Sequence, residues 1–439
     1  MLSHADNEML VRTGPGTPMG QLFRSFWLPV ALLAEVAEPD APPKRLKIMG
    51  EDLLLFRQSD GKLGLVEPRC PHRGADLYWG RNEECGLRCV YHGWKFGADG
   101  RCLDIPNMQP GRVRDTMMKT VRIRSLPVAE MGGAVWAWFG DPDAAPPLPV
   151  VEWALVPDES RYVSKKLQEC NWAQAYEGAI DTAHFTFVHR VLSAADGSKL
   201  IYADDRTRWI DEDGAPYYEV LEHPAGLTLG GARRGNPGET YWRISQTLLP
   251  SHATAPGTMP GEPYAVQTWV PVDDENCWIF TVTYCVDRPL SQAEHERYAG
   301  GRSVHAMVDD DYVPLRNRAN NYLVDRAAQK DRSFTGVTGL SEQDAMVQDS
   351  QGRIVDRTRE ILTPSDEGVV RWRKMILALA REVAAGKPPA VAQNPEAFCV
   401  HGGGAIAPEG QKLEQVMRER FGHPTGLATD MLPGFKAAE

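Results

Sequence analysis

Polar and apolar positions alternate in short runs over much of the first third of the chain. From Lys44 onward, RLKIMG, DLLLFRQ and KLGLVEP follow one another, with Gly and Asp turns between them. Runs of this length and period predict antiparallel β-strands. The same character continues through VRIRSLPVAEMGGAVWAWFG. Residues 1–43 include RTGPGTPMGQLFRSFWLPVALL, which reads as an arm across the surface followed by a short apolar element. The proline-rich DPDAAPPLPVVEW then interrupts the pattern and marks a domain boundary. The expected organisation is an arm over 1–43, an all-β domain over 44–149 and a second domain over 150–439.

Past the linker the period changes. LQECNWAQAYEGAIDTAHFTFVHRVL has helical spacing of its apolar groups. Strand-like runs return between Tyr217 and Val286, among them YWRISQTLLP, AVQTWVPV and CWIFTVTYCV. RWRKMILALAREVAAG near the C-terminus is an amphipathic helix. The second domain is therefore predicted as α+β, a twisted antiparallel sheet with helices to one side. The chain has no internal repeat and no low-complexity tract.

Composition narrows the function. The 439 residues carry 48 Lys plus Arg against 59 Asp plus Glu, a net charge of -11. That balance argues against a general nucleic-acid or anionic-membrane surface. An anionic substrate would need a local cluster of Arg. No apolar run approaches the ~20 residues of a membrane span, and MLSHADNEML lacks the features of a signal peptide. The 8 Cys do not have the spacing of a secreted disulfide framework. A cytoplasmic protein with metal-bound and free thiols is the expectation.

The candidate chemistry begins at CPHRGADLYWGRNEECGLRCVYHGWKF. Cys70 with His72 and Cys89 with His92 form two Cys/His pairs, with 16 residues between them. Two thiolates and two imidazoles suit zinc or an iron–sulfur centre in which two His replace two Cys on one iron. The arrangement favours the cluster, because each loop can give one ligand to each iron. Gly74 and Gly93 allow close backbone approach, and Trp94 and Phe96 supply an apolar edge. A structural zinc site on the same residues is the alternative, and Cys85 or Cys102 could be substituted into it.

A cluster that takes one electron at a time does not itself oxidise carbon, so the second domain calls for a second centre. NWAQAYEGAIDTAHFTFVHR offers Asp181, His184 and His189. Two His and one carboxylate bind Fe(II) with open positions for O2. Asp181 and His184 are three apart, on one face of a helix. His184 and His189 are five apart, and meet on one metal only if the helix widens or ends between them. Asp309, Asp310, Asp311, Asp325, Asp344, Asp349 and Asp356 are the candidate carboxylates downstream.

CPHRG followed by CVYHGWKF resembles the Rieske motif of aromatic-ring-hydroxylating oxygenases, and D-x-x-H-x-x-x-x-H resembles their mononuclear-iron motif. RTGPGTPMGQLFRSFWLP, LQECNWAQAYEGAIDTAH and SFTGVTGLSEQDAMVQDSQGRIVDR extend the likeness over nearly the whole chain, to phthalate dioxygenase oxygenase components and their relatives. Respiratory Rieske proteins fit poorly, since Ala75 stands where their extra Cys would be. The resemblance implies an N-terminal all-β Rieske domain and a catalytic domain of the helix-grip, START-like kind. It implies a [2Fe-2S] cluster on Cys70, His72, Cys89 and His92, and iron on His184, His189 and Asp344, with Asp325 as second choice. It gives Asp181 the part of a bridge between the iron's His184 and a cluster His of a neighbouring subunit, in a ring of three or two stacked rings. Asn171 and Tyr176 would flank the iron, and each could equally be a capping or core residue.

The implied reaction is cis-dihydroxylation of an aromatic carboxylate by O2, phthalate or a close relative. Electrons would come from a separate NADH-dependent flavin/iron–sulfur reductase, since the chain lacks G-x-G-x-x-G after a strand. Dioxygenases of other aromatic acids, monooxygenases and O-demethylases on the same scaffold are the alternatives, with a non-catalytic electron carrier or zinc protein as the contrasting class. A carboxylate calls for bidentate Arg. Among Arg206, Arg208, Arg233, Arg234 and Arg243, the strand YWRISQTLL singles out Arg243, and Arg206, read as preceding a strand-like stretch, is second.

Overall fold

The computed structural model describes residues 1–193 and 202–428. They form two compact units, one of residues 23–146 and one of residues 1–22 with the described residues from 147 onward. The boundary thus falls within the proline-rich linker. The arm expected over 1–43 is divided, since its first 22 residues belong with the second unit and the rest with the first.

The unit of residues 23–146 is built of short antiparallel strands, as the alternation in the sequence dictates. β1 (Trp27–Leu32), β11 (Ala134–Trp138) and β10 (Val128–Met131) make one three-stranded sheet. β2 (Lys44–Ile48), β3 (Glu51–Arg57), β4 (Leu63–Val66) and β9 (Ser125–Leu126) make a second sheet. β5 (Arg81–Glu83), β6 (Gly86–Arg88), β7 (Lys95–Phe96) and β8 (Cys102–Asp104) make a third. Leu54, Phe56, Val66, Leu87, Phe96 and Ile123 share one core with Cys70, Cys89 and Trp94. Apolar packing therefore reaches the two Cys/His loops, which follow β4 and β6.

The other unit is α+β. Its eight-stranded antiparallel sheet runs β12 (Arg161–Gln168), β18 (Cys277–Tyr284), β17 (Tyr264–Pro271), β16 (His252–Thr254), β15 (Glu239–Leu248), β14 (Gly226–Arg234), β13 (Tyr217–His223), with β19 (Gly403–Pro408) also paired to β15. α1 (His4–Val11) joins this unit through Asn7, which donates from Nδ2 to the Val355 carbonyl at 3.3 Å. Leu10 and Val11 are fully buried, so this segment is core rather than a surface arm.

The segment with helical spacing is not one helix. α2 (Trp172–Ile180) ends at Asp181, whose backbone is extended at φ -89 and ψ 115. A single turn, α3 (Phe185–Val188), follows with His184 and His189 as its two flanking residues. Asp181 and His184 therefore do not share a helical face. His184 and His189 meet from the two ends of that single turn, and the break in the helix falls before His184 rather than between them. α4 (Asp205–Glu212), α5 (Leu340–Ser350) and α6 (Glu367–Ala384) complete the elements that bear on the site.

Candidate metal centres and anion site

The two Cys/His loops have the same backbone wiring. Gly74 N donates to the Cys70 carbonyl at 2.8 Å, and Gly93 N to the Cys89 carbonyl at 2.9 Å. Cys70 N donates to the Ala75 carbonyl at 2.9 Å, and Cys89 N to the Trp94 carbonyl at 2.8 Å. Each loop needs its glycine at positive φ, 72° at Gly74 and 78° at Gly93, a region that costs a side chain energy. The loops bring the His72 and His92 rings to 4.5 Å between centroids. Trp94 stacks on His72 at 4.8 Å with 4° between planes, while Phe96 is wholly in the core.

The donors fit a cluster. His72 Nδ1 is buried without a hydrogen-bond partner, as a metal-facing nitrogen should be. Both thiols are buried, and the Cys70 thiol is pushed up to about 11, first by burial and then by Cys89, against a hydrogen bond from the His72 backbone that lowers it. Two crowded, desolvated thiols are stabilised as thiolates when they share a cation.

In the other unit, His184, His189 and Asp344 bring three donor atoms within 4.8 Å of one another. His184 Nε2 lies 3.3 Å from His189 Nε2 and 3.5 Å from Asp344 Oδ1, and His189 Nε2 lies 3.1 Å from Asp344 Oδ1. Two imidazoles and one carboxylate are the donor set of a non-heme Fe(II) site with open positions. The far nitrogen of His189 is held as well. His189 Nδ1 is 2.7 Å from Gln343 Oε1, and the Gln343 amide in turn donates to the Val337 carbonyl at 2.8 Å. Since Gln343 Oε1 is an acceptor, it fixes the proton on Nδ1 and leaves Nε2 free for metal. His184 Nδ1 is 3.5 Å from Asp181 Oδ2. Burial pushes the Asp344 carboxyl up, but the two imidazoles outweigh it and hold it below the usual carboxylate range.

Two of the other candidate carboxylates are occupied elsewhere. Asp325 accepts from the Ala327 and Ala328 backbone in an exposed turn, and Asp349 binds the Tyr322 hydroxyl. Asn171 caps α2, its Oδ1 accepting from Ala173 N at 3.0 Å, and Tyr176 is core, its hydroxyl donating to the His252 carbonyl at 3.0 Å. Capping and packing account for both of these side chains.

Arg243 is 1% exposed. Its Nε donates to Thr182 Oγ1 at 2.8 Å and its Nη1 to Tyr202 Oη at 3.0 Å, and its guanidinium lies 4.0 Å over the Phe185 ring. The Phe185 ring is also 4.6 Å from that of His189, so one aromatic ring separates the guanidinium from the metal donors. Among the described residues Arg243 has no carboxylate partner. The Tyr241 hydroxyl beside it is buried with no hydrogen bond.

Arg233, one of the strand arginines not singled out from the sequence, is the second buried guanidinium. The pairs Arg233↔Tyr241 and Gly231↔Arg243 place all four residues on one face of β14 and β15. Burial first, and the charge of Arg243 second, pull Arg233 down to about 10. Arg206 is a correction. It lies in helix α4 rather than before a strand, and Asp204 and Glu262 hold its guanidinium in two ion pairs. Its charge is therefore already neutralised. Gln343 and Thr182 were not chosen from the sequence. Gln343 is marked there only by its neighbour Asp344, and Thr182 only by lying between Asp181 and His184.

The family description "Rieske [2Fe-2S] domain" matches residues 26–127, and "LigXa C-terminal domain like" matches residues 137–401. The chain belongs to the Rieske non-heme iron oxygenases, and with them it takes a [2Fe-2S] cluster and a mononuclear iron. Its relatives include the 3-chlorobenzoate-3,4-dioxygenase oxygenase subunit of Comamonas testosteroni, 35% identical over 95% of this chain and 98% of that protein. The phthalate 4,5-dioxygenase oxygenase subunit of Pseudomonas putida is 35% identical over 88% of each. The 5,5'-dehydrodivanillate O-demethylase oxygenase subunit of Sphingobium sp. is 30% identical over 90% of this chain and 84% of that protein. The crystal structure of dicamba monooxygenase bound to dicamba has the same fold, with a TM-score of 0.57 at 20% identity over 83% of this chain and 99% of that one. No helix among the described residues is long and apolar enough to cross a membrane.

Proposed function

We propose that this oxygenase subunit cis-dihydroxylates an aromatic carboxylate, phthalate or a close relative. One observation carries the reading: a buried arginine without a carboxylate partner among the described residues stands one aromatic ring away from a His/His/Asp triad. A buried unpaired cation is costly, and a substrate carboxylate is the partner that relieves the cost.

In this reading Cys70, His72, Cys89 and His92 hold the cluster, and His184, His189 and Asp344 hold the iron. When bound, the cluster supplies single electrons and the ferrous ion supplies O2 activation. The chain's own residues do the rest. Gln343 keeps the His189 proton on Nδ1, and Asp181 orients His184. Arg243 grips the carboxylate and so fixes which ring edge faces the triad, with Phe185 as an apolar floor.

Asp181 also serves as the bridge to a cluster histidine of a second copy, in a trimer or stacked hexamer. Val90 and Tyr91, between Cys89 and His92, are 59% and 53% exposed, and such a contact would cover them. A separate NADH-dependent reductase supplies the electrons. The likeness to an O-demethylase subunit favours a second reading, in which a methyl group rather than the ring faces the iron.

Turnover of a panel of aromatic acids under labelled O2 separates the two readings, since a dihydrodiol carries both labelled atoms. Arg243→Ala should raise KM for the acid by about 100-fold, the value of a charge-assisted pair, while iron content stays at the parent level. An unchanged KM overturns the assignment.

A further inference from the structure

We propose that Tyr241 is a second anchor of the substrate acid: its hydroxyl donates to the carboxylate that Arg243 holds, and the protein keeps that hydroxyl at a cost to its own stability. The inference rests on the reading of Arg243 as carboxylate anchor.

Tyr241 and Arg243 are two apart on β15, so both side chains leave the same face of the sheet. Tyr241 is fully buried. Its ring centroid is 5.4 Å from that of Trp209, in a cluster that includes Ile210, Phe185 and Tyr202. Phe185 and Ile210 also line a small cavity that His189 borders. Apolar packing therefore accounts for the ring of Tyr241, and a phenylalanine would pack as well. It does not account for the hydroxyl.

Two tyrosines flank the Arg243 guanidinium, and they differ. Tyr202 Oη accepts from Arg243 Nη1 at 3.0 Å and donates to the Pro256 carbonyl at 3.4 Å. Tyr241 Oη is buried without a hydrogen-bond partner among the described residues. Burial first, and Tyr202 second, push the Tyr241 hydroxyl up, against a smaller pull from Arg243, so it keeps its proton and can donate. A buried hydroxyl without a partner lowers stability. A ligand that supplies the missing acceptor explains why the residue is tyrosine.

The place of that acceptor is marked by Gly257. A Cβ built on this glycine would stand 3.0 Å from Tyr241 Oη and 3.0 Å from Arg243 Nη1. The phenol and the guanidinium are thus at most twice that distance apart, a gap that one carboxylate spans with an oxygen on each. Arg243 has donors to spare, since its Nη2 has no acceptor among the described residues. A cation is repelled here, and a neutral acceptor leaves the guanidinium unpaired, so the two groups together select an acid. Held at two points rather than one, the acid presents a fixed ring edge.

The full-length, metal-loaded protein is compared with Tyr241→Phe, which removes one oxygen and keeps the ring, and with Arg243→Met. Phthalate is the first probe and 3-chlorobenzoate the second. Calorimetry gives the dissociation constant of each acid, turnover gives KM and kcat, and thermal unfolding is followed without acid. In Tyr241→Phe we expect the acid bound about 10-fold more weakly, the value of one hydrogen bond to a charged group. KM should rise to match, with kcat within about twofold of the parent. Without acid the same variant should melt about 2–4 °C above the parent, because an unpaired hydroxyl has been removed. A tyrosine with a purely structural part would lower that midpoint. Parental acid binding in Tyr241→Phe, or an acid-free midpoint no higher than the parent's, overturns the role of Tyr241. Unweakened acid binding in Arg243→Met overturns the anchor itself. Acid binding lost in Arg243→Met but parental in Tyr241→Phe leaves Arg243 as sole anchor and removes only Tyr241.

Discussion

An imidazole can face a metal with one nitrogen only, and what its other nitrogen touches decides which. His189 is buried, and its Nδ1 meets the Gln343 carbonyl oxygen at 2.7 Å. Gln343→Leu keeps the bulk and removes that acceptor. We expect it to lower iron affinity about 10- to 100-fold, as measured by competition with a chelator, with the cluster's absorption unchanged. The ligand residues themselves stood out in the sequence, because Cys, His and Asp at short spacings have few other uses. Their supports did not. Glutamine and threonine are common on any surface, and only the fold turns Gln343 toward His189 and Thr182 toward two guanidiniums. Arg206 shows the converse. A buried arginine can be neutralised by carboxylates such as Asp204 and Glu262, which a list of arginines does not reveal.

Among the elements, strand character was legible and register was not. The alternation in YWRISQTLLP predicts the strand that became β15, and with it the inward face of Arg243. That Gly231 stands opposite Arg243, and Arg233 opposite Tyr241, depends on how β14 and β15 pair, and nothing local encodes this. The break after α2 was illegible for a similar reason. No Pro or Gly lies between Ile180 and Phe185. The helix ends because Tyr218 and Arg233 capture the backbone of Thr182, an interaction that outweighs helical propensity. Gly231 is where this capture is most easily disturbed. In Gly231→Ala the new methyl would meet Thr182 Cγ2 at 2.3 Å. Thermal unfolding should report a loss of about 1–3 kcal/mol, together with a lower product yield per O2 as the link to His184 is displaced.

At the scale of the whole molecule, the unit that contains the triad is tied together by a buried charge network. Glu177 on α2 accepts from Arg357 Nε at 3.0 Å and from Arg373 Nε at 2.7 Å, and Arg373 also binds Glu360. Burial pushes the Glu177 carboxyl up, but the two arginines outweigh it and hold it below its ordinary range. A carboxylate with a depressed folded-state pKa stabilises the fold above its unfolded value of ~4.3, and that stability is lost as pH falls through the folded value. Glu177→Gln leaves two guanidiniums facing one neutral amide. We expect it to cost about 3–5 kcal/mol near neutral pH, with a gap in melting temperature that narrows as the buffer is taken below about pH 4. The same network reaches the first helix, since Arg357 Nη1 donates to Asn7 Oδ1 at 3.1 Å. This has a consequence for biosynthesis. Asn7 is synthesised 348 residues before Val355, one of the groups that receive it. At ~5–20 residues per second, the opening stretch must wait on the order of tens of seconds for its place, while the β-rich unit that follows it in the chain already has all of its own residues. The nascent polypeptide thus carries an unpaired Asn7 and uncovered Leu10 and Val11 side chains through that interval, and chaperones that bind exposed apolar side chains are its natural guardians.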